Sequence, residues 1–229
     1  GDFGDAGIPE LDVSQLVKSW SPEFIITVGD NNYFDGSAAT IDANIGQYYH
    51  QYIAPYIGCY GAGSPDGNRF FPSLGNHDWV TPGAIPYLNY FTLPEAYPGN
   101  ERYYRLRRGP VVLFAIDSDA SEPDGITSSS IQAQWLQQEL TCSSAPWRVA
   151  YFHHPSYSSS DGHGSQPALQ WPFASWGITA VFTGHDHTYE RILFDGIVYF
   201  VNGLGGNDAR YGFTTPVTGS AVRYNADFG

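Results

Sequence analysis

Short apolar runs, each closed by a polar residue, recur along the chain: Phe24–Val28, Phe70–Leu74, Val111–Ile116, Trp147–Phe152, Ile178–Phe182 and Ile197–Val201. Runs that stay apolar rather than alternate predict strands buried on both faces. Pro72 argues against a central place for the second run, because proline cannot donate to a ladder. Two hairpins are expected: Arg102–Leu106 with Val111–Ile116 around Arg108-Gly109-Pro110, and Arg191–Phe194 with Ile197–Val201.

Helical spacing links Leu11, Leu16, Val17 and Trp20, ending before Pro22. It also links Ile41, Ile45, Tyr48, Tyr49 and Tyr52, with Ser37 as the expected N-cap. Ser129 and Gln132 form a capping-box pattern ahead of Trp135, Leu136 and Leu140. A further helix is expected over Leu169–Trp176, stopped by Gly177. Residues 54–68, the proline-rich 79–100 and the serine-rich stretch after Pro155 read as loops, with 79–100 a surface excursion. The tail beyond Gly206 shows no clear element. Strands interleaved with helices point to an α/β fold.

At 229 residues, 42% hydrophobic and 16% aromatic, the chain suits one globular domain spanning 1–229 with a large core. It has no apolar run of about 18 residues, the length a spanning helix needs. A chain that starts at Gly1 and lacks methionine reads as a processed or cut product. The net charge of −13, with Lys18 the only lysine, argues against nucleic acid as a partner. It would also repel an anionic substrate unless bound cations reversed the field locally. Cys59 and Cys142 fit neither a zinc nor a redox spacing, and read as one disulfide or as two buried thiols.

Polar residues able to bind metal or phosphate close or follow the runs: Asp30, Asn76, Asp117, His153, His185 and Asn202. Ligands of open α/β sheets sit beyond the carboxyl ends of the strands. In Gly184-His185-Asp186-His187 the histidines lie two apart, so one strand face could aim both imidazoles at one point. Carboxylates and an amide oxygen are hard donors, while imidazole suits zinc, iron, manganese or copper. This mixed set fits a hydrolytic transition-metal site better than a calcium or structural zinc site.

Five blocks then occur in order: Gly1-Asp2-Phe3-Gly4, Gly29-Asp30-Asn31-Asn32-Tyr33, Gly75-Asn76-His77-Asp78, His153-His154-Pro155 and Gly184-His185-Asp186-His187. Together they resemble the calcineurin-like metallophosphoesterases. Tyr33, three residues after Asp30, and the continuation Thr188-Tyr189-Glu190-Arg191 resemble the purple acid phosphatase branch, in its short form. The resemblance implies a two-sheet mixed β-sandwich flanked by helices, with a dinuclear site at the carboxyl ends of the strands.

The resemblance further implies that Asp2, Asp30, Tyr33 and His187 hold a ferric ion. Asp30 would bridge to a divalent iron, zinc or manganese held also by Asn76, His153 and His185. The two histidines of the last block would thus divide between the metals. His77 would contact the phosphate or protonate the leaving group, and His163 would be an additional substrate histidine. The implied activity is hydrolysis of small phosphate monoesters by attack of a metal-bound hydroxide, in a secreted, periplasmic or extracellular protein.

A phosphodiesterase or nucleotidase of the same superfamily with non-ferric metals is the alternative, and a non-catalytic metal- or phosphate-binding domain is another. His154 matches no ligand position, His50 reads as a packing residue, and Asp117 and Asn202 as residues that order loops. The family pattern places a strand before its first aspartate and further strands after position 229. It therefore implies truncation at both ends, with an unpaired sheet edge or a loosely held Asp2.

Overall fold

The structure is a computed structural model that describes all of residues 1–229. Its strands form two sheets. In the smaller, β1 (Ile25–Val28) pairs in parallel with β2 (Phe70–Ser73), Ile25 opposite Phe70 and Thr27 opposite Pro72. Pro72 is tolerated because β2 has a neighbour on one side only, so the missing N–H leaves no second ladder unsatisfied. Its carbonyl accepts hydrogen bonds from the Tyr87 and Tyr104 hydroxyls, at 2.7 and 2.6 Å.

The larger sheet has seven strands: β3 (Tyr104–Arg108), β4 (Val111–Ala115), β5 (Trp147–Tyr151), β6 (Ala180–Thr183), β7 (Tyr189–Phe194), β8 (Ile197–Asn202) and β9 (Ser220–Tyr224). Their order is β3-β4-β5-β6-β8-β7-β9, parallel from β4 through β5 and β6 to β8 and antiparallel at β3, β7 and β9. Successive residues of a strand face opposite sides, and β4 shows the consequence. Leu113 and Ala115 join a core shared with β1, β2 and the Tyr48–Tyr52 segment. Val112 and Phe114 join a second core under α5 (Ile131–Thr141) and α6 (Phe173–Trp176). Burial on both faces is why the runs stay apolar. The two-sheet α/β arrangement with flanking helices agrees with expectation.

Several local expectations are corrected. The first helix, α1 (Ile8–Ser19), starts ahead of Leu11, with Pro9 in its first turn where no intrahelical N–H is needed. Residues 41–52 are helical but irregular: a π turn at Asp42–Gly46, α2 (Gln47–Tyr49) and a 3-10 turn at His50–Tyr52. Ser37 does not cap them through its side chain, since its hydroxyl meets that of Thr40 at 3.2 Å. Residues 79–100 are no surface excursion. They complete α3 (Asn76–Val80), form α4 (Ile85–Tyr90), and send Ala84, Tyr87, Phe91 and Leu93 into the first core.

The α5 cap is Ser130, which accepts the Ala133 amide at 3.2 Å; Gln132 is instead buried and bonds both backbone groups of Asp117. Pro172 breaks the expected 169–176 helix, leaving a 3-10 turn and the short α6, which Gly177 ends in a left-handed conformation. The tail supplies β9, hydrogen-bonded along β7. Cys59 and Cys142 are neither bonded to each other nor buried; both are exposed free thiols. No helix is long and apolar enough to cross a membrane.

Phe114 is fully buried and packs edge-on against Trp135 at 6.3 Å. Phe114→Ala is expected to cost about 3–5 kcal/mol in a denaturant titration, the usual range for a buried aromatic. A cost below about 1 kcal/mol would contradict the two-core packing.

Candidate metal centre

β1, β2, β5 and β6 release their chains at one end of the molecule, and the functional blocks follow directly. The two sheets meet there: His153, just past β5, donates from Nδ1 to the Val28 carbonyl of β1 at 2.9 Å. Glycine is required at this junction. A Cβ on Gly29, at φ +84°, would lie 2.6 Å from the His153 Cβ, and one on Gly75 would collide with the backbone nitrogen of Asp30. Asp2, Asp30 and His185 themselves occupy the left-handed region, at φ 60°, 49° and 66°. Non-glycine residues are rarely held there, and such outliers gather at functional sites.

The candidate donors form two groups. Tyr33 Oη lies 3.4 Å from Asp2 Oδ1, 3.1 Å from Asp30 Oδ2 and 3.3 Å from His187 Nε2. His153 Nε2 lies 2.9 Å from Asn76 Oδ1 and 3.0 Å from His185 Nδ1. Asp30 Oδ2, 3.3 Å from His153 Nε2, touches both groups. Asp2 is not loosely held: it is fully buried, its amide donates to Gly29, and its Oδ2 accepts the His185 amide at 2.9 Å.

Asn76 and His77 open α3 rather than end a strand, and the His77 amide donates to Asp30 Oδ1 at 2.9 Å. His77 Nδ1 donates to the Phe34 carbonyl at 2.7 Å, which leaves Nε2 for the pocket. His163 comes in from its loop and stacks on His185 at 3.8 Å. Asp30, Tyr33, Asn76, His77, His163, His185 and His187 line a cleft of about 230 Å³ with Phe34, Asn207, Ala209 and Tyr211, and Asp2 and His153 are buried beneath it. All nine candidate residues therefore converge.

The donor chemistry fits cations. His153 and His187 spend Nδ1 on the Val28 and Ala209 carbonyls, so each turns Nε2 inward, the arrangement that orients imidazole ligands. The oxygen, phenol and imidazole donors left facing one another need a proton or a cation between them. Protons serve in the metal-free site. Burial opposes protonation of His153, but Asp30 and Asp2 outweigh it and lift the imidazole to about 9. Burial likewise opposes charging of His187, and the Asp2 hydrogen bond and charge raise it nonetheless.

Burial pushes the Asp2 and Asp30 carboxyls up, yet the neighbouring histidines hold both below the ordinary range. Burial first, then the Asp2 and Asp30 charges, raise the Tyr33 phenol, so only a strongly charged cation could bind it as phenolate. His185 is driven down by burial and by His153, His154 and His163.

A model of the calcineurin-like phosphoesterases matches residues 5–189, which carry all of these donors except Asp2. The chain belongs to that family. Tartrate-resistant acid phosphatase type 5 of Mus musculus is 23% identical over 218 residues, 85% of this chain and 64% of that one. The Fe(3+)-Zn(2+) purple acid phosphatase 12 of Arabidopsis thaliana is 29% identical over 148 residues, 59% of this chain and 30% of that one. Purple acid phosphatase PPD1 from yellow lupin seeds superposes with a TM-score of 0.75 at 18% identity, over 99% of this chain and 47% of its own. This calcineurin-like phosphoesterase chain spans less than two thirds of the length of these relatives.

Sequence reading did not single out several residues that shape the site. Tyr211 stacks on His187 at 4.6 Å from the featureless tail, where nothing in the pattern marked it. Asp78 accepts from the Gly75 amide and from Asn31, and burial followed by the Asp30 charge pushes it up to about 7. His154, which the sequence reading named only as matching no ligand position, is held by Ser118 Oγ at 3.0 Å and is pushed down to about 3, by burial first and then by His153. It lies close enough to His153 and His185 to share a cation geometrically.

The metal-free protein should show the consequence of these shifts. A histidine raised from 6.5 to about 9 stabilises the fold fully below 6.5 and loses that contribution as pH rises through about 9. Asp2 and Asp30, lowered from 3.8, contribute above that value and lose it in acid. Chelator-treated protein is expected to lose melting temperature between pH 6.5 and 9, a decline that His153→Gln should flatten. An equal slope in both proteins would show that His153 carries no such proton.

Proposed function

We propose that this chain is the catalytic part of a metal-dependent phosphatase that hydrolyses small phosphate monoesters. The observation that carries the reading is the double contact of Asp30 Oδ2, 3.1 Å from Tyr33 Oη and 3.3 Å from His153 Nε2. One carboxylate oxygen between two donor groups suits a pair of cations at phosphoryl-transfer spacing, about 3.5–4 Å. Asp2, Tyr33 and His187 would hold a ferric ion, Asn76, His153 and His185 a divalent iron, zinc or manganese, with Asp30 shared. The similarity to an Fe(3+)-Zn(2+) purple acid phosphatase supports that pairing. Such a pair, when bound, neutralises phosphate charge and activates water for in-line attack.

The remaining chemistry belongs to side chains of this protein. His77 Nε2 faces the cleft, 4.0 Å from Asp30 Oδ2, with its ring fixed by the Phe34 carbonyl. From there it can give a proton to the leaving oxygen or donate to a phosphate oxygen. His163 approaches over His185 and can donate to a second phosphate oxygen. A cleft of about 230 Å³ suits a phosphoryl group with its ester oxygen, leaving the rest of the substrate outside. The overall charge of −13 makes the local cations necessary for an anion to enter.

Metal analysis with a visible spectrum and phenyl phosphate turnover tests the reading. Iron plus a divalent metal, a visible tyrosinate band removed by Tyr33→Phe, and, with an isotopically chiral aryl phosphate, inversion at phosphorus are expected. Colourless protein that loads only manganese or zinc would remove the ferric assignment and favour the nucleotidase-like alternative. Absence of turnover with both sites filled would overturn the phosphatase. His77→Ala is expected to keep both metals and lower kcat by about 10²–10⁴-fold, the range of a general acid. An unchanged kcat would exclude His77 from proton transfer.

A further inference from the structure

We propose that Asp186, between His185 and His187, is a positioning residue for His163, a proposal that rests on the phosphatase reading. Its carboxylate is fully buried and faces the 158–164 loop rather than the cleft. Oδ1 accepts the His163 amide at 2.8 Å and the Gly164 amide at 3.4 Å. Oδ2 accepts the Gly164 amide at 3.1 Å and the Ser158 hydroxyl at 2.5 Å. One carboxylate thus grips both ends of the loop. Glu190, also fully buried, anchors the next residue by accepting the Ser159 amide at 2.7 Å and its hydroxyl at 2.6 Å.

The loop is a run of serine and glycine with an exposed histidine at its tip, a composition that ordinarily leaves the chain free to move. The His163 ring nevertheless lies over His185 at 3.8 Å, and edge-on to Tyr211 at 5.5 Å. A donor aimed at a developing charge must be held in place before the reaction. A buried carboxylate is an expensive plug for a merely structural gap, and apolar side chains would fill one at lower cost. Its bonds go instead to the amide of the histidine, the amide after it, and the serine at the loop's start. The same short segment therefore offers His185 and His187 to one side of the site and fixes His163 through Asp186.

The test is a double-mutant cycle on the full, metal-loaded chain. It compares His163→Ala, Asp186→Ala and their combination by kcat/KM for phenyl phosphate and by calorimetric binding of inorganic phosphate. Each single change is expected to lower kcat/KM by about 10–100-fold, the range of outer-partner mutations. The double variant should fall no further than His163→Ala, and phosphate affinity should follow the same pattern. Asp186→Asn keeps an acceptor for the His163 amide and should restore most of the loss, with two metals retained per chain.

Multiplicative losses in the double variant would overturn the proposal. So would metal loss from Asp186→Ala, because Asp186 would then act on His185 and His187. If Asp186→Ala does not fold, Ser158→Ala, which removes the hydroxyl bonded to Asp186 Oδ2, carries the same comparison. Wild-type protein that holds both metals without hydrolysing the ester would defeat the phosphatase reading alone. The phosphate-binding cycle would still decide the role of Asp186.

Discussion

Two carboxylates, Asp2 and Asp30, are buried within reach of one another, and the architecture of this end of the molecule answers that constraint. Like charges out of water raise each other's proton affinity, and only opposite charge makes the pair tolerable. His153 and His187 supply it as protonated rings when no metal is present. A cation would displace those protons, so the same groups that could hold a metal also balance their own charges without one. Left-handed backbone at Asp2, Asp30 and His185 shows that surrounding structure holds these residues where isolated chains rarely go.

That surrounding structure is the meeting of two sheets. The small β1–β2 sheet and the large sheet share a core rich in tyrosine and phenylalanine, and the β1 carbonyl of Val28 receives the His153 ring. Parallel strands put all their carboxyl ends on one side, so loops from both sheets can converge there. Helical and sheet packing makes the platform rigid, and loops complete it. The Ser158–Gly164 loop is the clearest case, since buried Asp186 and Glu190 remove the freedom its composition would otherwise allow.

Charge is handled at two scales. The whole chain is acidic, which favours solubility and repels free anions. Within the cleft, donors are grouped so that metal ions would reverse the field over a few ångströms, the distance at which a buried charge outweighs the screened surface. Acidity of the chain as a whole does not by itself bar an anion from a cleft that holds cations.

The strands, the hairpins and the identities of the candidate donors were legible in the sequence, because burial on both faces leaves apolar runs and ligand chemistry restricts residue types. Glycine beside Asp30, Asn76 and His185 was legible too, though its reason, backbone packed against backbone, is a tertiary fact. Residues 79–100 were misread because proline punctuation resembles a loop, while contacts with distant strands decide that Tyr87 and Phe91 are core. β9 and Tyr211 left no local signal, since an edge strand and a stacking ring depend on partners far along the chain. Local pattern determined which residues could do chemistry. Only the folded sheets decided that Asp30 Oδ2 touches both donor groups, because that oxygen's neighbours come from segments as distant as Tyr33 and His153.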